Sequence, residues 1–479
     1  MRYETVIGLE VHVELSTRTK LFCRCPASFG AGPNENACPA CAGYPGAPPV
    51  LNRRAVELGI AAGILTNGKI ANRLGFDKKS YFYPDLPCGF QITQWFAPVS
   101  AGGYVDIETG GGKKRITLKQ IHIEEDAGKL VHDPASGTTL ADYNRTGVPL
   151  IEIVSNADFR APEEATAYLE KLRRTLSFAG VSDCRMQEGS MRCDVNISVR
   201  EAGAAELGTR VEIKNMNSLK MIAAAIEYES KRQIEAIETG SEKLVQETRR
   251  WDDVSGETFA MREKEDATDY RYFPDAEILP VEIGEDWIDE IRASLPESSE
   301  DKLERYKTSQ GLPEYDAAII AASSNLSRLF DETRALYENP KEIANWIIVE
   351  LLAIAKGDNK GTDDINIDCG KFAALLKMVE NKRINRNNAK KILPNILKDG
   401  ADPEAYAMER GLLMTGDAGE LARAASETVA ENEKSVSEYL AGNQKAFGHL
   451  MGRAMKKLGG RADPKKVGAA LNEKLKNLQ

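Results

Sequence analysis

The 479-residue chain has only four histidines and eight cysteines, and each shortage narrows what the protein can be. So few cysteines in so long a chain argue against a disulfide framework and for reduced thiols or metal ligands. No apolar run approaches the ~20 residues of a membrane span, and Arg2, Glu4 and Glu10 interrupt any leader-like start. The expectation is a cytoplasmic protein with no membrane partner. The P-loop spacing is missing, because Thr109-Gly110-Gly111-Gly112-Lys113 reads as a hairpin turn between strands at 105–108 and 115–118. There is no GxGxxG fingerprint, Gly-x-Ser-x-Gly elbow or cysteine-protease signature, and His132 and His449 sit in a loop-like stretch and a tail helix. A nucleotide must therefore lie on a sheet, and intrinsic hydrolytic chemistry is hard to build.

The charge is acidic overall at -10 but unevenly spread. Residues 441–479 carry nine Lys/Arg against two acids, a net of +7, which leaves -17 for the rest. An acidic body with a basic tail implies a polyanionic partner engaged locally rather than along the whole surface. Strand-like alternation fills 1–292. From Leu295-Pro296 apolar residues recur at three and four spacing, and Gly400 with Pro403 offers a later break. In the tail, Phe447, Leu450, Met451, Ala454, Met455 and Leu458 share one helical face, stopped by Gly459-Gly460. Asp463-Pro464 opens the next helix.

The most informative presence is an alternation. Glu10, His12 and Glu14 interleave with Leu9, Val11, Val13 and Leu15, so a strand would show one aliphatic and one ionisable face. The pattern recurs in Ile121-His122-Ile123-Glu124-Glu125, Leu150-Ile151-Glu152-Ile153, Cys193-Asp194-Val195-Asn196 and Arg210-Val211-Glu212-Ile213-Lys214. A row of carboxylates on one sheet face is costly unless cations sit on it, and Mg²⁺ with a nucleotide phosphate chain is the natural occupant.

Cys23, Cys25, Cys38 and Cys41 form C-x-C-x12-C-x2-C, two close pairs across a loop, as a tetrahedral structural Zn²⁺ requires. Lys79, beside Tyr81, Phe82 and Tyr83, suits a phosphate next to rings that can stack a base. Ser190 and Arg192, entering a strand through Gly189, suit phosphate oxygens, with Asp194 and Asn196 toward a metal. Arg145 is more ordinarily the partner of a carboxylate.

Several long segments resemble the B-subunit family of bacterial tRNA-dependent amidotransferases (GatCAB). They include Gly8-Leu9-Glu10-Val11-His12-Val13-Glu14-Leu15, Tyr81-Phe82-Tyr83-Pro84-Asp85, Ile123-Glu124-Glu125-Asp126-Ala127-Gly128-Lys129, Asp142-Tyr143-Asn144-Arg145 and Asp269-Tyr270-Arg271-Tyr272-Phe273-Pro274-Asp275. The resemblance covers nearly the whole chain. It departs at Cys88-Gly89-Phe90, where a lysine and a tyrosine would be expected. It implies an α+β protein with three parts: a glutamine synthetase-like catalytic sheet domain over 1–292 with a four-cysteine zinc loop, a helical domain over 293–408, and a YqeY-like tRNA-binding tail over 409–479. It further implies ATP-dependent phosphorylation of the side-chain carboxylate of Glu-tRNA(Gln) or Asp-tRNA(Asn). Ammonia would come from a GatA-type amidase, with a GatC-type small subunit completing the heterotrimer. Alternation and motif position together nominate Glu10, His12, Glu125 and Glu152 around Mg²⁺, with Glu10, Glu125 and Glu152 catalytic. Lys79, Ser190, Arg192 and Lys214 are the phosphate and nucleotide candidates. Lys445, Arg453, Lys456 and Lys457 are those for tRNA.

Two alternatives stand beside this reading, the second from another class. A glutamine synthetase-type ligase for a free amino acid would have no use for the basic helical tail. A non-catalytic zinc-containing RNA adaptor would find its RNA repelled by the acidic sheet face.

Overall fold

Alternation at the N-terminus produces a long strand, Tyr3–Glu14, with Ile7, Leu9, Val11 and Val13 fully buried on one side. The computed structural model describes residues 2–263, 270–415 and 417–478. Asp269, the first residue of one motif above, lies outside them. Tyr3–Glu14 is central to a ten-stranded sheet among the described residues. It pairs antiparallel with Pro149–Ser155 on one side and Met191–Glu201 on the other. Beyond Pro149–Ser155 lies Gly112–Glu125, and beyond Met191–Glu201 come Val211–Lys214, Glu247–Asp252 and Glu257–Glu263. The expected hairpin joins Tyr104–Thr109 to Gly112–Glu125, with Gly112 at φ +104°, where a side chain would be strained.

Three helices, Arg53–Leu65, Pro162–Phe178 and Leu219–Thr239, pack against elements of this sheet. Asn52 and Ser218 cap the first and third by accepting from the N–H groups of Arg54 and Met221. Ile123, Ile151, Ile153, Val195, Ile197, Leu169 and Leu172 belong to the same core and are wholly buried. Burying this face leaves the other face of the central strands to the polar residues.

A small sheet of Asp77–Ser80, Phe90–Thr93 and Phe273–Pro274 packs near the end of the long Gly112–Glu125 strand. The Thr93 hydroxyl donates to Glu124 at 3.2 Å, and the Gln91 side-chain amide donates to the Glu125 carbonyl at 2.7 Å. These bonds carry Lys79 and Tyr81 to the polar face.

The chain divides into two compact units between Ser298 and Ser299. The helix Glu285–Ser294 spans the boundary expected at 292 and buries Ile288 and Ile291 in the first core. The second unit is helical. The stretch 317–336 is broken at Ser323, whose hydroxyl caps the helix Ser324–Leu336. A π-helical turn, Trp346–Leu351, interrupts the helical stretch from Pro340 to Gly357. Leu450, Ala454 and Leu458 are buried, with Phe447, Met451 and Met455 packed on them, in a small cluster of the last four helices.

Candidate metal and phosphate site

Register decides which ionisable groups meet. Glu10 pairs with Asp194, and His12 pairs with both Arg192 and Glu152 on its two neighbouring strands. Glu152 in turn pairs with His122, and Leu150 with Glu124. Since directly opposed residues share a face, Glu10, His12, His122, Glu124, Glu152 and Asp194 stand together across four strands. Glu212 joins them from the strand Val211–Lys214, opposite Asn196. Two donor groups result, His12 with Glu124 and Glu152, and Glu10 with Asp194 and Glu212, each with one ligand atom per residue inside a 4.8 Å sphere of mutual distance.

The first group is held by imidazoles. His122 Nε2 lies 2.8 Å from Glu152 and 3.4 Å from Glu124, and His12 Nε2 lies 3.6–3.7 Å from the same two carboxylates. Burial by itself would depress the His122 pKa, but Glu152 and Glu124 outweigh it and raise it to about 10. Burial likewise works to raise Glu152, yet the imidazoles of His122 and His12 bring it below the usual carboxylate range. The cluster therefore demands positive charge, which protonated His122 supplies when no cation is bound. A divalent cation would satisfy the same demand.

In the second group, Asn196 donates to Glu10 at 2.9 Å and Thr248 donates to Glu212 at 2.9 Å. The Lys214 ammonium contacts Asp194 and lies 3.3 Å from Glu212. Burial pulls its pKa down, but these carboxylates prevail and raise it. Both groups line one cavity of about 500 Å³, together with Lys79, Tyr81, Trp95, Tyr270 and Tyr272. A second cavity of about 350 Å³ shares His12, Glu124, Glu152, Lys79 and Lys214 and adds Asp126 and Arg192.

Among the cations expected for phosphate, Lys79 has no carboxylate within 4.0 Å among the described residues and sits 4.7 Å over the Tyr270 ring. Arg192 is braced at 2.7 Å by buried Asp126, which also lies 3.4 Å from Arg145. Arg145 further donates to the Ala127 and Gly128 carbonyls, a positioning role for the loop. Ser190 lines neither cavity: its hydroxyl contacts Asp183 and accepts from the Arg185 N–H, closing a turn in a separate small cleft.

Glu125 is likewise not brought to the donor groups. Ile121 and Ile123 point into the core, so period two assigns His122 and Glu124 to the polar face and turns Glu125 away. Its carboxylate accepts from the Ile92 N–H at 3.0 Å and faces another cavity lined by Lys20, Cys41, Lys78 and Cys88. Burial raises its pKa to about 7. Glu124 stands where Glu125 is expected from the motif, and His122 is a further member that the alternation contains but the motif does not single out.

The four cysteines converge. The Cys41 Sγ lies 3.8 Å from that of Cys38 and 4.0 Å from that of Cys25, and all four sulfurs fall within 4.8 Å of one another. Tetrahedral Zn–S bonds of about 2.3 Å place sulfurs about 3.8 Å apart, so this spacing fits the ion. A hydrogen bond from Cys23 holds the Cys41 pKa down to about 4, assisted by the Cys38 N–H and by Lys20. Lys20 is fully buried, with Nζ 3.5 Å from Cys41 Sγ and 3.0 Å from the Tyr143 carbonyl. In the tail, Lys445, Arg453 and Lys456 are exposed, whereas Lys457 is matched by Glu431 at 2.7 Å and Glu427 at 3.3 Å.

Residues 5–289 match the family described as the GatB/GatE catalytic domain, and residues 328–475 match one described as a GatB domain. The chain is 50% identical over 473 residues to the B subunit of the aspartyl/glutamyl-tRNA(Asn/Gln) amidotransferase of Lachnoclostridium phytofermentans, covering 99% of each chain. It is 47% identical to the protein of the same name from Caldicellulosiruptor saccharolyticus, covering 100% of each. It is 46% identical to that from Carboxydothermus hydrogenoformans, covering 99% of each.

Two outcomes follow from the geometry. Glu124→Gln or Glu152→Gln should weaken Mn²⁺ binding, read by electron paramagnetic resonance as a Mg²⁺ surrogate, by about 10–100-fold; Glu125→Gln should leave it within about twofold, and the reverse order would restore Glu125 as the ligand. Cys41→Ser should reduce zinc to well below one per chain by atomic absorption and lower the thermal midpoint. An unchanged zinc content would dissolve the four-thiol centre.

Proposed function

The chain belongs to the GatB/GatE family, and from that membership we propose that it is the B subunit of a tRNA-dependent amidotransferase, a glutamine-dependent carbon–nitrogen ligase. Its substrates are misacylated Glu-tRNA(Gln), Asp-tRNA(Asn) or both, which it converts to Gln-tRNA(Gln) and Asn-tRNA(Asn). The observation that carries this reading is the pair of donor groups side by side on one sheet face, with Lys79, Arg192 and Lys214 lining the same cavities.

A side-chain carboxylate is a poor electrophile at neutral pH, so an oxygen must become a leaving group before ammonia can displace it. Phosphorylation by ATP does this: the carboxylate oxygen attacks the γ-phosphorus, ADP leaves, and ammonia then displaces phosphate from the acyl phosphate. Glu10, His12, Glu124, Glu152, Asp194 and Glu212 would hold Mg²⁺, which when bound supplies charge neutralisation for the transferring phosphoryl group. Lys79 and Arg192 bind phosphate oxygens from the cavity wall. Lys214 holds Asp194 and Glu212 in place and adds a charge at the same edge. Asp126 orients Arg192.

The chain has no hydrolase motif of its own, so ammonia is delivered by an amidase partner of the GatA type, and a GatC-type small subunit completes the assembly. The cysteine centre holds structural Zn²⁺ with no open coordination position. No helix among the described residues is long and apolar enough to cross a membrane, and a cytoplasmic location accords with a tRNA substrate. The exposed Lys445, Arg453 and Lys456 of the tail contact the tRNA backbone.

ATP hydrolysis by the chain co-purified with its partner subunits should appear only with a misacylated tRNA, and comparing Glu-tRNA(Gln) with Asp-tRNA(Asn) identifies the accepted amino acid. Turnover on free glutamate would instead establish a small-molecule ligase, and none at all an adaptor. Replacing Lys445, Arg453 and Lys456 with alanine should weaken tRNA affinity and reduce the salt slope by about one for each phosphate no longer neutralised. Unchanged affinity and slope would move the RNA-binding surface elsewhere.

A further inference from the structure

The core face of the large sheet is aliphatic along most of its width, but toward one end it becomes ionic. Among the described residues, Val211–Lys214 and Glu247–Asp252 form the only parallel pair of this sheet. A parallel pair cannot close through a tight turn, and here the helix Leu219–Thr239 makes the crossover. No hairpin therefore sets the register of Glu247–Asp252 against Val211–Lys214. Glu229, on the crossover helix, is wholly buried and accepts from Arg232 at 2.6 and 3.0 Å, from Gln233 at 2.9 Å and from Thr258 at 2.8 Å. Arg249 lies 3.7 Å from Glu229, donates to Glu247 at 2.6 Å, and donates to both the hydroxyl and the carbonyl of Thr258.

Such a network is sensitive to register. Sliding Glu247–Asp252 by one residue would turn Glu247 and Arg249 to the opposite face and put Thr248 and Arg250 among apolar residues. The outer strand Glu257–Glu263 accommodates this strand with a bulge. Opposite the step from Thr248 to Arg249 its pairing passes from Arg262 to Ala260, over Met261. The period two that turns Arg249 inward turns Thr248 to the polar face, in register with Glu212. Thr248 is buried, and its hydroxyl donates to one Glu212 oxygen at 2.9 Å, while Lys214 lies 3.3 Å from the other. Both oxygens of that carboxylate are thereby oriented before any ion arrives.

We propose that the Glu229–Arg249 network locks the register of Glu247–Asp252, and that Thr248, delivered by that register, is the positioning residue that orients Glu212 within the second donor group. The inference rests on the metal-dependent phosphorylating function above, and it adds what fixes one of the ligands. A carboxylate free to rotate gives up that freedom when it binds an ion, whereas one already held by a hydroxyl gives up less. Aliphatic packing would also join the helix to these strands. It discriminates less sharply between registers, because apolar side chains tolerate a shift that buried charges do not.

The test titrates the complete assembly with Mn²⁺, read by electron paramagnetic resonance, so it does not depend on turnover. The wild type should bind two equivalents, one for each donor group. Thr248→Val, which keeps the shape and removes the hydroxyl, should weaken one equivalent about tenfold or more and leave the other unchanged, and Thr248→Ser should restore binding to within about twofold of wild type. A merely structural loss would move both equivalents and would not be rescued by serine. Arg249→Lys, or Glu229→Gln if the first does not fold, should weaken the same equivalent, and adding Thr248→Val should then cost little more. Fully additive losses would separate the network from Thr248 and overturn the register lock. Two equivalents in the wild type with neither weakened in Thr248→Val overturn the positioning role while the metal reading stands. A wild type that binds no second equivalent removes the metal reading of that donor group, and the inference with it, before any variant is compared.

Discussion

The first unit is organised around an unfavourable interaction, the crowding of five carboxylates onto one face of adjacent strands. Glu124 and Glu152 sit close enough to share His122, and Asp194 and Glu212, beside Glu10, close enough to share Lys214. Each group carries its own internal cation, and each would exchange part of that compensation for a divalent ion and a phosphate chain. The sheet can bear this arrangement because its opposite face is continuous aliphatic core, where Ile7, Leu9, Val11, Ile123, Ile151 and Ile153 are fully buried. The hydrophobic side keeps the register, and the register keeps the charges apart from the core.

The segments outside the main sheet supply what the acidic face lacks. The small sheet brings Lys79 and the aromatic residues to the cavity through the Thr93–Glu124 and Gln91–Glu125 contacts. Asp126 braces Arg192 and lies close to Arg145, joining the strand Met191–Glu201 to the loop that follows Gly112–Glu125. The cysteine centre is tied to the same region. Buried Lys20 bridges Cys41 and the Tyr143 carbonyl, so a metal at the thiols would stiffen the loop that carries Arg145. The cysteine cluster and the donor groups are thus connected through charged side chains, of which Lys20 and Asp126 are buried.

Much of this was legible in the chain. Alternation identified the strands and their aliphatic face and placed Glu10, His12 and Glu152 on the polar one, and the spacing of Cys23, Cys25, Cys38 and Cys41 anticipated their convergence. Helical spacing located the buried face of the tail helix Gln444–Lys457. The same alternation, followed one strand further, separates Glu124 from Glu125, since His122 and Glu124 share a parity that Glu125 does not. Adjacent glutamates in one motif obscured a distinction that period two already contained. Ser190 lies away from both cavities for a different reason: a serine beside a glycine turn suits a phosphate or the turn itself, and here its hydroxyl bonds Asp183 and Arg185 within the turn.

Residue periodicity alone determined which side of each strand is polar, because side-chain direction follows from backbone geometry within the strand. Only the tertiary structure decided which polar groups face one another. The pairing of Glu152 with both His12 and His122, the bracing of Arg192 by Asp126 across 66 positions, and the stacking of Trp95 on Tyr272 join segments far apart in sequence. Such contacts depend on strand order and register, which are set by how the whole aliphatic face packs. No local pattern encodes them.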